Sequence, residues 1–236
     1  MLATTGGTRS RVRHGHRLAP STPESSMHVL YYAPGAASLL VHWLLVELDV
    51  PHALRRLDLD ARDQKSADYL ALNPAGVVPT LVVDGRPMTE AAAIAAWLAE
   101  RHPAAGLAPA AGAPDRAAYL QWMFHLANAV QPLFRLWWYP HEVAGDANRD
   151  LVRESVRPRI EAAWDRIDAH LAANGPCLLG RRETVADYYL TMLMRWSRKM
   201  PRPATEWPHL AALAASLKSR PSFAALYAAE GLEEWA

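Results

Sequence analysis

Apolar and polar positions along the chain follow two regimes. Between residues 28 and 101, short β-rich runs alternate with stretches of helical period. His28-Val29-Leu30-Tyr31-Tyr32 is a run of strand formers ended by Ala33-Pro34-Gly35. In residues 38–49, Leu39, Leu40, Trp43, Leu44 and Val46 recur at helical spacing, which predicts a helix with one apolar face. Pro51 closes that unit, and residues 52–58 alternate as a strand does. Residues 66–72 predict a short helix stopped by Asn73-Pro74. Residues 80–83 and 87–89 flank Asp84-Gly85, a dipeptide suited to the two positive-φ positions of a tight hairpin turn. Residues 90–101 are alanine-rich and helical. Strands alternating with helices predict a parallel pair joined by a right-handed crossover, and the hairpin adds antiparallel strands.

Residues 103–114 are low in charge and full of Pro, Ala and Gly, the composition of an interdomain linker. Beyond them strand patterning stops. Residues 115–139, 148–174, 184–200, 208–220 and 222–230 predict helices, with Pro132 and Pro158 each marking a kink or a boundary. The expected organisation is a disordered leader at 1–26, an α/β domain at 27–103, a linker at 104–114 and an all-helical domain at 115–236. The leader holds Arg9, Arg11, Arg13 and Arg17 against Glu24, but no apolar core of a secretory signal. It reads as disordered, or as preceding a true start at Met27.

Charge and cysteine content narrow the function. The leader carries +3 of the overall +1, which leaves −2 on the body and gives it no electrostatic pull toward nucleic acid. No segment reaches the roughly 18 apolar residues of a bilayer span. The single Cys177 excludes a disulfide framework and a multi-cysteine metal site, so the cytoplasm is the expected compartment. The ten His are scattered, and no metal pair is expected.

The most informative stretch is Asn73-Pro74-Ala75-Gly76-Val77-Val78-Pro79-Thr80-Leu81. Proline directly before a strand cannot join the ladder. A cis bond there leaves the preceding residue's N–H and C=O free to pair with an extended peptide. Read alone, the segment is equally a simple turn. Together with Thr89-Glu90 opening a helix, a linker and helices beyond, it resembles the cytosolic glutathione transferases. Tyr31-Tyr32-Ala33-Pro34-Gly35-Ala36-Ala37-Ser38 followed by His42 resembles the bacterial beta-class form, and residues 178–187 resemble the family's turn into a buried helix.

The resemblance implies a thioredoxin-like α/β domain followed by an all-α domain, with glutathione as co-substrate. It implies that Val78 pairs its backbone with the cysteinyl unit, that Pro79 is the cis proline, and that Glu90 binds the γ-glutamyl amine beside Ala91. Read alone, Glu90 is a helix cap. Gln131, Trp137 and Trp138 fall along the implied pocket for the second substrate. Thr184 and Asp187 match a capping box, a purely structural pair.

Three positions depart from the beta-class pattern. Ala37 stands where that class has cysteine, Val130-Gln131 where it has His-Lys, and Ala91 where the family has serine after the acid. Cys177 reads as a small buried hydrophobe. What remains to activate a thiol is Ser38, near the start of the first helix, and Tyr32. Each also has a plainer role: Ser38 as a helix cap, Tyr32 and His42 as packing residues. The expected activity is conjugation of glutathione to an apolar electrophile, a detoxifying transfer by a homodimer with no nucleic-acid or membrane partner. The alternative is a non-catalytic or weakly catalytic protein of the same fold that holds glutathione or an apolar ligand.

Overall fold

The computed structural model describes residues 28–235, so the expected leader lies outside the described residues. A four-stranded sheet is built from β1 (His28–Tyr32), β2 (His52–Arg56), β3 (Thr80–Val83) and β4 (Arg86–Thr89), in the order β2-β1-β3-β4. β1 is parallel to β2 and antiparallel to β3, and β3 pairs antiparallel with β4. Asp84 at φ 50° and Gly85 at φ 78° occupy the hairpin turn, as the dipeptide predicts. Leu30 and Leu81, on the two central strands, are fully buried.

The crossover from β1 to β2 is α1 (Ser38–Glu47). Its sequence predicts a single apolar face, but Ser38 through Leu45 are all buried. The cause is tertiary. β1 and α3 (Ala91–Arg101) pack on α1 from its own domain, and α8 (Val185–Trp196) and α10 (Pro221–Glu230) pack on it from the helical domain. A helix covered on all sides needs no polar face. Between β2 and β3 lie a 3₁₀ turn (Asp63–Lys65) and α2 (Ala67–Leu72), capped by Ser66.

The stretch read as a linker is docked rather than loose. The Leu107 carbonyl accepts the Val185 N–H at 2.9 Å, and Arg182 donates to the carbonyls of Gly106 and Ala108 at 3.1 Å.

The helical domain holds α4 (Arg116–His125), α5 (Gln131–Trp138), α6 (His141–Ala144), α7 (Arg149–Asn174), α8, α9 (Pro208–Lys218) and α10. The helix expected over 115–139 runs without a break from Arg116 to Trp138, with a π-helical turn at Leu126–Val130 between α4 and α5. Pro132 is the second residue of α5 and directly follows the π-helical turn, whose last bond runs from the Gln131 N–H to the Leu126 carbonyl. Pro158 marks no boundary, since α7 runs through it. It lies on the exposed face of the helix. The capping box forms: Asp187 Oδ2 accepts the Thr184 N–H at 2.8 Å and the Thr184 hydroxyl at 3.0 Å. Asp187 Oδ1 accepts the Leu178 N–H at 2.8 Å. Burial pushes this carboxyl up to about 6.

Candidate functional site

Between the sheet domain and the helices lies a cleft of about 1050 Å³. On the sheet side it is bordered by Pro34 to Ala37 at the start of α1, by Gly76, Val77 and Val78, and by Asp60, Gln64 and Lys65. The opposite wall comes from Gln131, Phe134, Arg135 and Trp138 of α5, from Arg195 and Trp196 at the end of α8, and from Arg198. Gly231 to Glu234 complete it.

The Val78 edge is fixed by polar side chains behind it. Tyr69 donates its hydroxyl to the Val77 carbonyl at 2.7 Å, and Asn73 Nδ2 donates to the same carbonyl at 2.8 Å. Gly76 has φ 60°, and a Cβ there would stand 2.7 Å from Lys65 Nζ and 2.8 Å from the Gln64 carbonyl, so only glycine fits. The Val78–Pro79 peptide is cis, as expected. The β1–β3 register ends at Tyr31 opposite Thr80, so Val78 stays outside the ladder and borders the cleft.

The start of α1 is held from the helical domain. The Gly35 N–H donates to Glu230 Oε2 at 2.8 Å, and Glu230 Oε1 pairs with His42 Nδ1, also at 2.8 Å. The Gly35 carbonyl accepts Trp196 Nε1–H at 2.9 Å. Arg195 lies against the same glycine. Its Nε donates to the Tyr227 hydroxyl at 2.8 Å, and a Cβ on Gly35 would stand 2.5 Å from its Nη1.

The two hydroxyls nominated for thiol activation lie elsewhere. Ser38 is fully buried; its hydroxyl donates to the Ala33 carbonyl at 3.1 Å and accepts the Ala33 N–H at 3.2 Å. Tyr32 is buried in the core with its ring against His42. Neither borders the cleft. A serine that starts a helix and also bonds the loop before it cannot be separated by sequence from one aimed at a ligand.

The other nominated residues divide. Val78, Gln131 and Trp138 border the cleft, whereas Trp137 packs on the core beneath the Arg153 guanidinium. Tyr189 donates its hydroxyl to Gln131 Oε1, which leaves the amide N–H groups of Gln131 as its free donors. Burial raises the Tyr189 hydroxyl, and the charge of Glu90 raises it further. Pro79 and Ala91 are buried. Glu90 is exposed at φ 70°, a sparsely populated conformation for a residue with a side chain, and its carboxylate makes no capping bond. Simple capping therefore does not describe it. Cys177 is buried, and burial together with Asp187 and Glu183 pushes its thiol up to about 11. The described residues contain no cluster of three His, Cys, Asp or Glu able to hold a metal, and no helix long and apolar enough to cross a membrane.

The sequence reading passes over Lys65, Arg195 and Glu230. For Arg195 a signal exists: it is the one charge in the run Tyr188-Tyr189-Leu190-Thr191-Met192-Leu193-Met194-Arg195-Trp196. Glu230 gives none, because an acid at the end of an alanine-rich helix is commonplace.

Comparison with known proteins agrees with this architecture. The family model for the glutathione S-transferase N-terminal domain matches residues 37–101, and that for the C-terminal domain matches residues 131–221. Glutathione S-transferase GST-4.5 of Xanthomonas campestris pv. campestris is 37% identical over 171 residues, covering 72% of this chain and 82% of that protein. A sphingomonad glutathione S-transferase complexed with glutathione superposes with a TM-score of 0.77 at 31% identity, covering 87% of this chain and 100% of that one. The beta-class enzyme of Sphingomonas chungbukensis gives a TM-score of 0.76 at 28% identity, with 87% and 100% covered.

Proposed function

The chain belongs to the glutathione S-transferase family, and from that premise we propose that it binds glutathione in this cleft and transfers it to an apolar electrophile. The observation that carries the reading is Val78, a residue outside the sheet ladder on the edge of a cleft that also holds the start of a helix. An extended tripeptide laid on that edge pairs its cysteinyl backbone with the Val78 backbone. Its γ-glutamyl amine meets Glu90, and Lys65 is a cation for its glycyl carboxylate.

The sulfur then lies toward Ala36 and Ala37; the Ala36 and Leu39 N–H groups are bonded to the Ala33 and Ala36 carbonyls at 3.1 and 3.0 Å, which leaves the N–H groups of Ala37 and Ser38 for it. Those groups and the helix dipole stabilise a thiolate and lower the thiol pKa, a task for which Ser38 and Tyr32 are poorly placed. The thiol proton leaves to water. The sulfur lone pair forms a bond to the electrophilic carbon, and the leaving group departs with its electron pair. Phe134, Trp138 and Tyr139 offer the ring surface for the electrophile. The reading extends to a cytoplasmic, detoxifying homodimer. Phe124 on α4, 62% exposed, supports a covered face in the assembly.

One observation favours a binding protein without transfer: the Ser38 hydroxyl is spent on Ala33. Steady-state assay with glutathione and an activated aryl halide separates the two. The transferase reading expects conjugation well above the uncatalysed rate. Glutathione binding without rate enhancement would favour the alternative.

A further inference from the structure

Arg195 is 3% exposed, yet no Asp or Glu among the described residues lies within ion-pair distance of it. Removing a guanidinium from water without a counter-ion is costly, so a buried unpaired arginine is retained where an anion arrives to complete it. The nearest acid on α10, Glu230, is already committed to the Gly35 N–H and to His42. The acid near the mouth, Glu234, is committed to Arg198 and Lys199.

The guanidinium is held in place with care. Nε is fixed by Tyr227 at 2.8 Å, and Nη1 is only loosely engaged by the Gly35 carbonyl at 3.5 Å. Space for the group exists because residue 35 is a glycine: a Cβ would stand 2.5 Å from Nη1 and 3.2 Å from Nη2. Arg195 borders the same cleft as Gly35, Ala36 and Ala37, so its free N–H groups and the start of α1 face one space. The Tyr227 hydroxyl that holds it also feels the charges of Arg198 and Glu230.

We infer that Arg195 is a catalytic residue, and that its guanidinium together with the N-terminus of α1 forms the site for the ionised sulfur of glutathione. This rests on the glutathione reading above and adds to it a full positive charge in the place where the beta-class pattern has lost its cysteine. A helix terminus supplies only partial charge, whereas an arginine shielded from water acts at full strength on a developing anion.

Calorimetric titration with two analogues tests it: glutathione sulfonate, a permanent anion at the sulfur position, and S-methylglutathione, neutral there. The full-length chain should prefer the sulfonate by about tenfold or more, the worth of a hydrogen bond between charged groups. Arg195→Met, which keeps the packed stem, and Arg195→Gln should bring the preference close to one, while Arg195→Lys should keep most of it. The thiol pKa of bound glutathione, read from thiolate absorbance, should rise by about one unit in Arg195→Met. An equal loss of affinity for both analogues would show a structural role and overturn the assignment. So would a wild-type preference near one. If neither glutathione nor S-methylglutathione binds wild type, the glutathione reading itself fails and Arg195 falls with it.

Discussion

The Gly35 N–H and the Glu230 carboxylate meet at 2.8 Å, although 195 positions separate them in the chain. The last residue of α10 thereby fixes the loop that starts α1, and the helical domain sets the geometry of one side of the cleft. Glu230→Ala leaves the Gly35 N–H, on the cleft wall, and the buried His42 Nδ1 without their partner. It should cost about 3 kcal/mol of stability, measured by urea unfolding. An unchanged midpoint would mean that water replaces the carboxylate.

Cys177 should take no part in chemistry. With its thiol pushed up to about 11, it holds about a thousandth of its population as thiolate at pH 8. Alkylation of the native protein should run at least about 100-fold slower than in denaturant, and Cys177→Ser should leave turnover unchanged. Loss of activity in that variant would reopen a cysteine mechanism.

Local chemistry was legible in the sequence, and tertiary direction was not. Asp84-Gly85 names its turn because only certain residues accept positive φ, and Thr184 with Asp187 names its cap because the partners are three residues apart. The cis bond at Val78–Pro79 comes from the family resemblance of its segment, which read alone is equally a simple turn. Ser38, by contrast, has two satisfactory partners, a ligand outside or Ala33 beside it, and the choice depends on loop geometry. α1 looked one-faced because the sequence does not reveal that two further helices cover its other side. Glu230 and Arg195 act on Gly35 from far along the chain, beyond the reach of any local pattern.

Acid should loosen the contact between the two domains. Burial alone raises the Glu47 carboxyl, but hydrogen bonds from Arg220 and Ser222, with the Arg220 charge, outweigh it and hold the group below its ordinary value. A depressed carboxylate contributes stability above its unfolded pKa of about 4.5 and loses it as pH falls through the folded value. The Tm gap between wild type and Glu47→Gln should therefore be largest near pH 6 and shrink toward pH 3. A gap independent of pH would show that the pair adds nothing.

Glu90 makes no capping bond, so its substitutions report on ligand rather than on helix stability. Glu90→Ala removes charge and acceptors and should weaken glutathione binding by about tenfold. Glu90→Gln keeps one acceptor and should lose less. Calorimetry on both variants checks the order. Equal affinities would place the γ-glutamyl amine elsewhere.

The central claim is that glutathione lies along the Val78 edge with its sulfur at the start of α1. A crystal structure of the chain soaked with glutathione addresses it most directly. The predicted result is a cysteinyl unit paired to the Val78 backbone, the γ-glutamyl amine on Glu90, and the sulfur near Ala37 and the Arg195 guanidinium. Glutathione bound away from Val78, or a cleft that stays empty at saturating ligand, would contradict it.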